Sequence, residues 1–324
     1  MTDQKIFLKK VRDLGGIFGA TFGFIKQNFK ALFGSLLFFA GPFLLVAAVV
    51  SANMFGSNLG LSKLFKGNLT SFYGEFILSY LIILAVTFVG INVYNVILNK
   101  NLIENEKLLA SEKLNIQHST NNFFPDFWRV LGNTLLLIIV SIIFMIVIVF
   151  IFAGLFALAG GGGANNTGVI ILLVVFFLLL FVAMIIFGPI LSFIPLAAIF
   201  VCQRDGLPIF AAIKKVFYYL KGNFWSTWVV IVVGFLSYMI MAGIVQIPML
   251  IVTIISTFSR IRISDGSITQ NESTSLILVV VVAICTLLSH GVRVVFNLMV
   301  IYQYNSLEEK KEGVSIIDKI NQIQ

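Results

Sequence analysis

The chain has 324 residues, 59% of them hydrophobic and 11% charged, with a mean hydropathy of +1.03; that is too little polar surface to cover a soluble globule of this size. The net charge of +8 does not indicate nucleic acid, because the basic residues sit in short segments between apolar runs rather than on one water-facing patch. Anionic lipid head groups are the counter-charge that this pattern fits.

Taken in order, residues 1–13 carry Lys5, Lys9, Lys10 and Arg12, and an amphipathic segment follows at 14–29 with apolar residues at 14, 18, 22, 25 and 29. Its glycines weaken it as an isolated helix by roughly 1 kcal/mol each relative to Ala, so lipid or the rest of the chain must hold it. Six membrane-spanning segments are predicted at about 30–54, 74–99, 130–159, 167–202, 223–258 and 275–304. The fourth exceeds the bilayer, and Gly188-Pro189 and Pro195 are its predicted breaking points; Pro42 and Pro248 fall inside the first and fifth. Such prolines either bend helices for packing or mark a gate. Gly160 to Gly163 read as a tight connection between spans three and four, since no Lys-Ser or Lys-Thr follows to make a phosphate loop.

The amphipathic segment recurs. Residues 14–29 align without a gap on 209–224, pairing Lys26 with Lys221, Asn28 with Asn223 and Phe29 with Phe224, and a fainter copy lies at 118–134. The asparagine is expected to cap the spanning helix that follows. From these copies we expect an all-α integral membrane protein of six transmembrane helices in three parallel repeats, each an interfacial helix plus a two-helix hairpin. The units are 14–104, 118–205 and 209–309, followed by a cytoplasmic tail at 310–324. Seventeen Lys and Arg lie in the terminal regions and the two longer linkers, against Lys63, Lys66, Arg260 and Arg262 in the other three linkers. The positive-inside rule therefore predicts both termini in the cytoplasm. An inverted repeat of the common transporter type would need an odd number of spans per unit.

The sixth span carries a polar stripe, Thr286, His290, Arg293 and Asn297, on one helical face. Burying Arg costs about 2.5–3.5 kcal/mol, which the surrounding aliphatic residues outweigh. The stripe is either a polar cavity contacting an anionic head group or substrate, or a packed, neutral His290 with Arg293 snorkelling to phosphates. Asn92, Asn95 and Asn99 in the second span, with Asn297 and Asn305, are expected to hydrogen-bond between helices. Lys26 and Lys221 are candidate lipid-phosphate contacts, and Trp128, Trp225 and Trp228 candidate interface anchors. Two histidines and two cysteines, Cys202 and Cys285, supply no metal cluster, disulfide framework or nucleophile elbow, and no span carries paired carboxylates. The expectation is a non-enzyme without cofactor or metal.

The repeated Phe-x-Phe-Ile-Lys-Gln-Asn-Phe at 22–29 and the exit FNLMVIYQYNSLEEKKEG at 296–313 resemble the bacterial family typified by the glycerophosphoryl diester phosphodiesterase membrane domain, with relatives in Bacteroidota. In fused members the resemblance implies a membrane module beside a catalytic domain. The catalytic domain is absent from this chain, so its activity does not carry over, and no family active-site residue maps here. The resemblance implies a bacterial cytoplasmic (inner) membrane, and the leading expectation is a non-catalytic membrane module there that interacts with lipid or a partner membrane protein. A transporter or lipid-translocating protein with a cavity lined by the sixth span is the alternative, and an intramembrane enzyme the third.

Overall fold

In the computed structural model, the described residues are 5–56, 69–108, 112–160, 167–260 and 272–321. Lys63, Lys66, Arg262, most of the glycine run and the last three residues of the tail lie outside them. The described residues form helices without strands: α1 (Leu14–Phe39), α2 (Gly41–Gly56), α3 (Leu69–Lys107), α4 (Ile116–Thr120), α5 (Phe123–Gly160), α6 (Thr167–Asp205), α7 (Ile209–Leu220), α8 (Phe224–Arg260) and α9 (Glu272–Asn321). Among them, α3, α5, α6, α8 and α9 are long and apolar enough to cross a membrane. The pair α1 and α2 makes a sixth if its 56° bend lies within one span.

The helix boundaries follow from local chemistry. Asp13 starts α1 by accepting a 2.8 Å hydrogen bond from the Gly16 amide. Between α1 and α2 the chain bends next to Pro42, which sits in the first turn of α2, where its missing N–H had no helical partner to lose. Asn28 departs from helical geometry inside α1 (φ −115°, ψ 19°), and α7 is separated from α8 by Lys221-Gly222-Asn223, with Gly222 at φ 87°. Both clear copies of the Lys-x-Asn-Phe segment thus interrupt the helix at the same place. Neither asparagine side chain makes the expected cap. The Asn28 amide donates back to the Phe24 carbonyl, and the Asn223 side-chain oxygen accepts from Lys310. The faint third copy departs further: Leu-Gly-Asn-Thr replaces the signature at 131–134, nothing stops the helix, and α5 runs straight through Asn133. Its break comes earlier, at Asn122 with φ 54°.

The prolines do not break α6, contrary to the prediction. Pro189 removes the N–H that would bond the carbonyl of Ile185, and the indole Nε1 of Trp228 on α8 donates to that oxygen instead, at 3.3 Å. Helix α8 likewise continues through Pro248.

The core is concentrated at one end of the bundle. Helix α9, which packs against α1, α2, α6, α7 and α8, is buried on every side from Val294 to Glu308. The end of α3 is buried from Asn92 to Leu102 and that of α6 from Ala197 to Gln203. These three ends meet along Asn95, Asn99, Leu196, Ile199, Asn297 and Ile301. Residues 5–13, α4 and α7 cover them, so a compact head forms where all three returning helices finish. The outer ends are held more lightly, chiefly by Ala48, Ala52, Leu278 and Val282. The α5–α6 hairpin is the extreme, with none of the most apolar window of α5 buried and 6% of that of α6. Helices so apolar on every face need hydrocarbon around them.

Candidate functional site

The predicted stripe on α9 is split between two spaces. His290 is half-buried, its ring centroid 6.3 Å from that of Tyr94, and it borders a cavity of about 60 Å³ whose walls include Phe33, Ala40 and Leu44 at the α1–α2 bend. Two turns on, Asn297 is 3% exposed and borders a separate space of about 10 Å³ with Asn95 and Asn99. Its side-chain oxygen has no partner among the described residues, and a space of this size is about that of one water. Arg293 lies between them in the helix and is half-buried. Thr286 is half-buried; at this level the bond that ties α9 to α8 is from Gln246 to Ser289, at 2.7 Å.

The asparagine ladder also departs in part from expectation. Asn92 donates to the Phe88 carbonyl of its own helix; Asn305 donates to its own Ile301 carbonyl and also makes the expected bond between helices, its side-chain oxygen accepting from Arg204 of α6 at 2.7 Å. The other bonds between elements run from Gln203 to the Val96 carbonyl at 3.1 Å, Gln303 to Thr227 at 3.0 Å, and through the chain Ser119 to Asn101 to Ser35 at 2.8 and 2.9 Å. In a dense head each buried polar group takes whichever acceptor is nearest, and a backbone carbonyl one turn back always competes.

Sequence reasoning missed the strongest charged assembly, which closes the head. Arg204 at the end of α6 makes two parallel hydrogen bonds to Glu308 on α9, both 2.7 Å, and also reaches Asp205 and Asn305 at 2.7 Å. Lys215 on α7 contacts Asp205 at 2.8 Å and Glu308 at 3.0 Å, and Lys9 lies 3.5 Å from Glu308. The Glu308 side chain is 1% exposed and that of Arg204 11%. The Tyr219 hydroxyl donates to Glu312 at 2.6 Å; burial, and then that bond, hold the phenol above its ordinary value. Burial works against the Lys215 ammonium, but hydrogen bonds to Asp205 and Glu308 outweigh it and keep the group above its usual range. Every cation and anion here is matched. The assembly is a clamp that ties the N-terminal segment, α6, α7 and α9 together, with no open position for a reacting group. Its sequence signal was the acid in each exit, Asp205 in QRDG and Glu308 in SLEEKKE, falling where basic residues also cluster.

Around the head runs a second set of charges, unpaired among the described residues. Lys26 and Lys30 of α1 are exposed beside Phe22 and Phe29, Arg129 of α5 beside Trp128, and Lys214 and Lys221 of the α7 region beside Phe217 and Trp225. The rings of Phe29, Trp128 and Trp225 are 57%, 64% and 65% exposed, whereas Trp228 is turned toward α6. Both predicted phosphate-contact residues, Lys26 and Lys221, belong to this rim. No known protein family, curated protein or solved structure matches the chain.

Proposed function

We propose that the chain is a non-catalytic module of a bacterial cytoplasmic membrane whose head rests on the inner leaflet and holds anionic lipid there. The observation that carries this reading is the rim. At three separate helix entrances, basic side chains without a counter-charge among the described residues stand next to exposed aromatic rings. Aromatic rings settle at head-group depth, and each Lys or Arg near an anionic surface contributes about 1 kcal/mol. The three-repeat organisation belongs to the same reading, supported by the return of α3, α6 and α9 to one end of the bundle. So does the resemblance to a membrane domain that accompanies, but does not contain, a phosphodiesterase. The cavities beside His290 and Asn297, about 60 and 10 Å³, are smaller than the space a bound solute fills, which favours a module over a conduit.

Reconstituted in nanodiscs, the full chain should unfold at higher temperature when phosphatidylglycerol accompanies phosphatidylcholine. The K26Q/K221Q variant should lose about 1–2 kcal/mol of that gain. Equal stability in both lipids would remove the proposal. Orientation has its own check. A cysteine placed at Gly162 should react with a membrane-impermeant maleimide from outside intact cells, and one at Lys310 only after lysis. Labelling of both from one side would overturn the topology.

A further inference from the structure

The N-terminal segment does not lie flat on α1. Ile6 comes so close over Gly23 that a Cβ there would meet its Cδ1 at 2.5 Å, whereas nothing lies within 4 Å of the Cβ position of Gly19. Between these points the segment stands off the helix and leaves an open groove of about 960 Å³, floored by Gly16, Gly19 and Ala20 and edged by Lys5, Lys10 and Arg12. Phe7 and Val11, 58% and 53% exposed, continue its wall with apolar surface.

The electrostatics of the groove are one-sided. Lys5 donates to the backbone carbonyls of Glu106 and Leu108, and Arg12 to those of Phe7, Leu8 and Lys10 while its guanidinium lies 5.1 Å from the centre of the Tyr302 ring. Carbonyls and a ring fix these cations in place without cancelling their charge. Lys10 is exposed and has no partner among the described residues. Among the described residues that line the groove the one acid is Asp13, whose carboxylate accepts from the Gly16 amide as the cap of α1.

We infer that this groove is a binding site for one anionic phospholipid, its phosphate between Lys5 and Lys10 and an acyl chain along the glycine floor. The inference rests on the inner-leaflet reading above and narrows it to one place. Charge complementarity selects an anion, and the apolar floor and wall, useless to a free anion, select one that carries a hydrocarbon tail. The volume lies within the range of small-molecule sites.

Native mass spectrometry of the full chain in mild detergent, titrated with phosphatidylglycerol or phosphatidylcholine, tests the site. One phosphatidylglycerol should be retained in preference to phosphatidylcholine. K10Q should weaken it about fivefold, the effect of one charge at an anionic surface. G19L, which grows into open space and therefore leaves the thermal midpoint in detergent unreduced, should lose the lipid. Equal retention of both lipids, retention undiminished in G19L, or displacement by inorganic phosphate alone would overturn the assignment. If G19L binds as wild type while phosphatidylglycerol still stabilises the chain in nanodiscs, the groove fails and the rim reading stands. If phosphatidylglycerol has no effect in either assay, both fall.

Discussion

Replacing Glu308 by Ala should lower the unfolding free energy by about 3–5 kcal/mol, the cost of breaking a buried ion pair by removing one partner. Glu308 is the common partner of Arg204, Lys215 and Lys9, and it is the most deeply buried member of the assembly. Without it, Asp205 is left to balance both Arg204 and Lys215, and two desolvated cations face each other across the joint of α6, α7 and α9. Chemical denaturation in detergent measures the loss. E308Q keeps the volume and one acceptor, so its smaller deficit separates charge from shape. Replacing the group together, as R204M/K215M/E308L, should recover much of the stability, because no ion is then stranded. A loss below about 1 kcal/mol in E308A would show that the clamp is ornamental.

Lys100→Met should cost less, about 2–3 kcal/mol, and act locally. Lys100, 5% exposed, holds Asp126 at 2.8 Å across the interface of α3 with the first turn of α5. Asp126 remains 20% exposed and sits at a helix N-terminus that favours an acid, so its stranded charge is partly relieved and the cost stays under that of a closed pair. Helix α5 has little other attachment to α3 and α1: a small cluster of Val96, Val130 and Ile199, and the stacking of Phe123 on Phe39. Hydrogen exchange in residues 123–137 should therefore speed up in the variant while protection of 294–308 is unchanged. Equal loosening of both segments would mean that the hairpin and head open as one unit.

Much of this architecture was legible because it rests on local patterning. The apolar runs mark α3, α5, α6, α8 and α9; the short helix α7 lies within 209–224, but it buries Ala212 and Val216 where the alignment put the apolar positions at Ile213 and Phe217. What stayed hidden was set by residues distant in sequence. Glu308 lies 104 residues from Arg204 and far from Lys9, so its partners are not legible in SLEEKKE until the fold brings them to it. The stripe on α9 was read as one face, and a face two turns long meets two neighbours. His290 faces the α1–α2 bend, Asn297 the ends of α3 and α6. The unbroken path of α6 through Pro189 was hidden for the same reason, since the rescuing indole belongs to another helix.

That indole has a consequence for motion. A carbonyl orphaned in hydrocarbon costs several kcal/mol, and only one side chain on α8 is placed to prevent it. Sliding α6 along α8 by a single residue would carry Ile185 out of reach of Trp228. The proline therefore acts as a detent: it leaves both helices intact and permits them one alignment, so any rearrangement of this bundle must pivot about that point rather than shear past it.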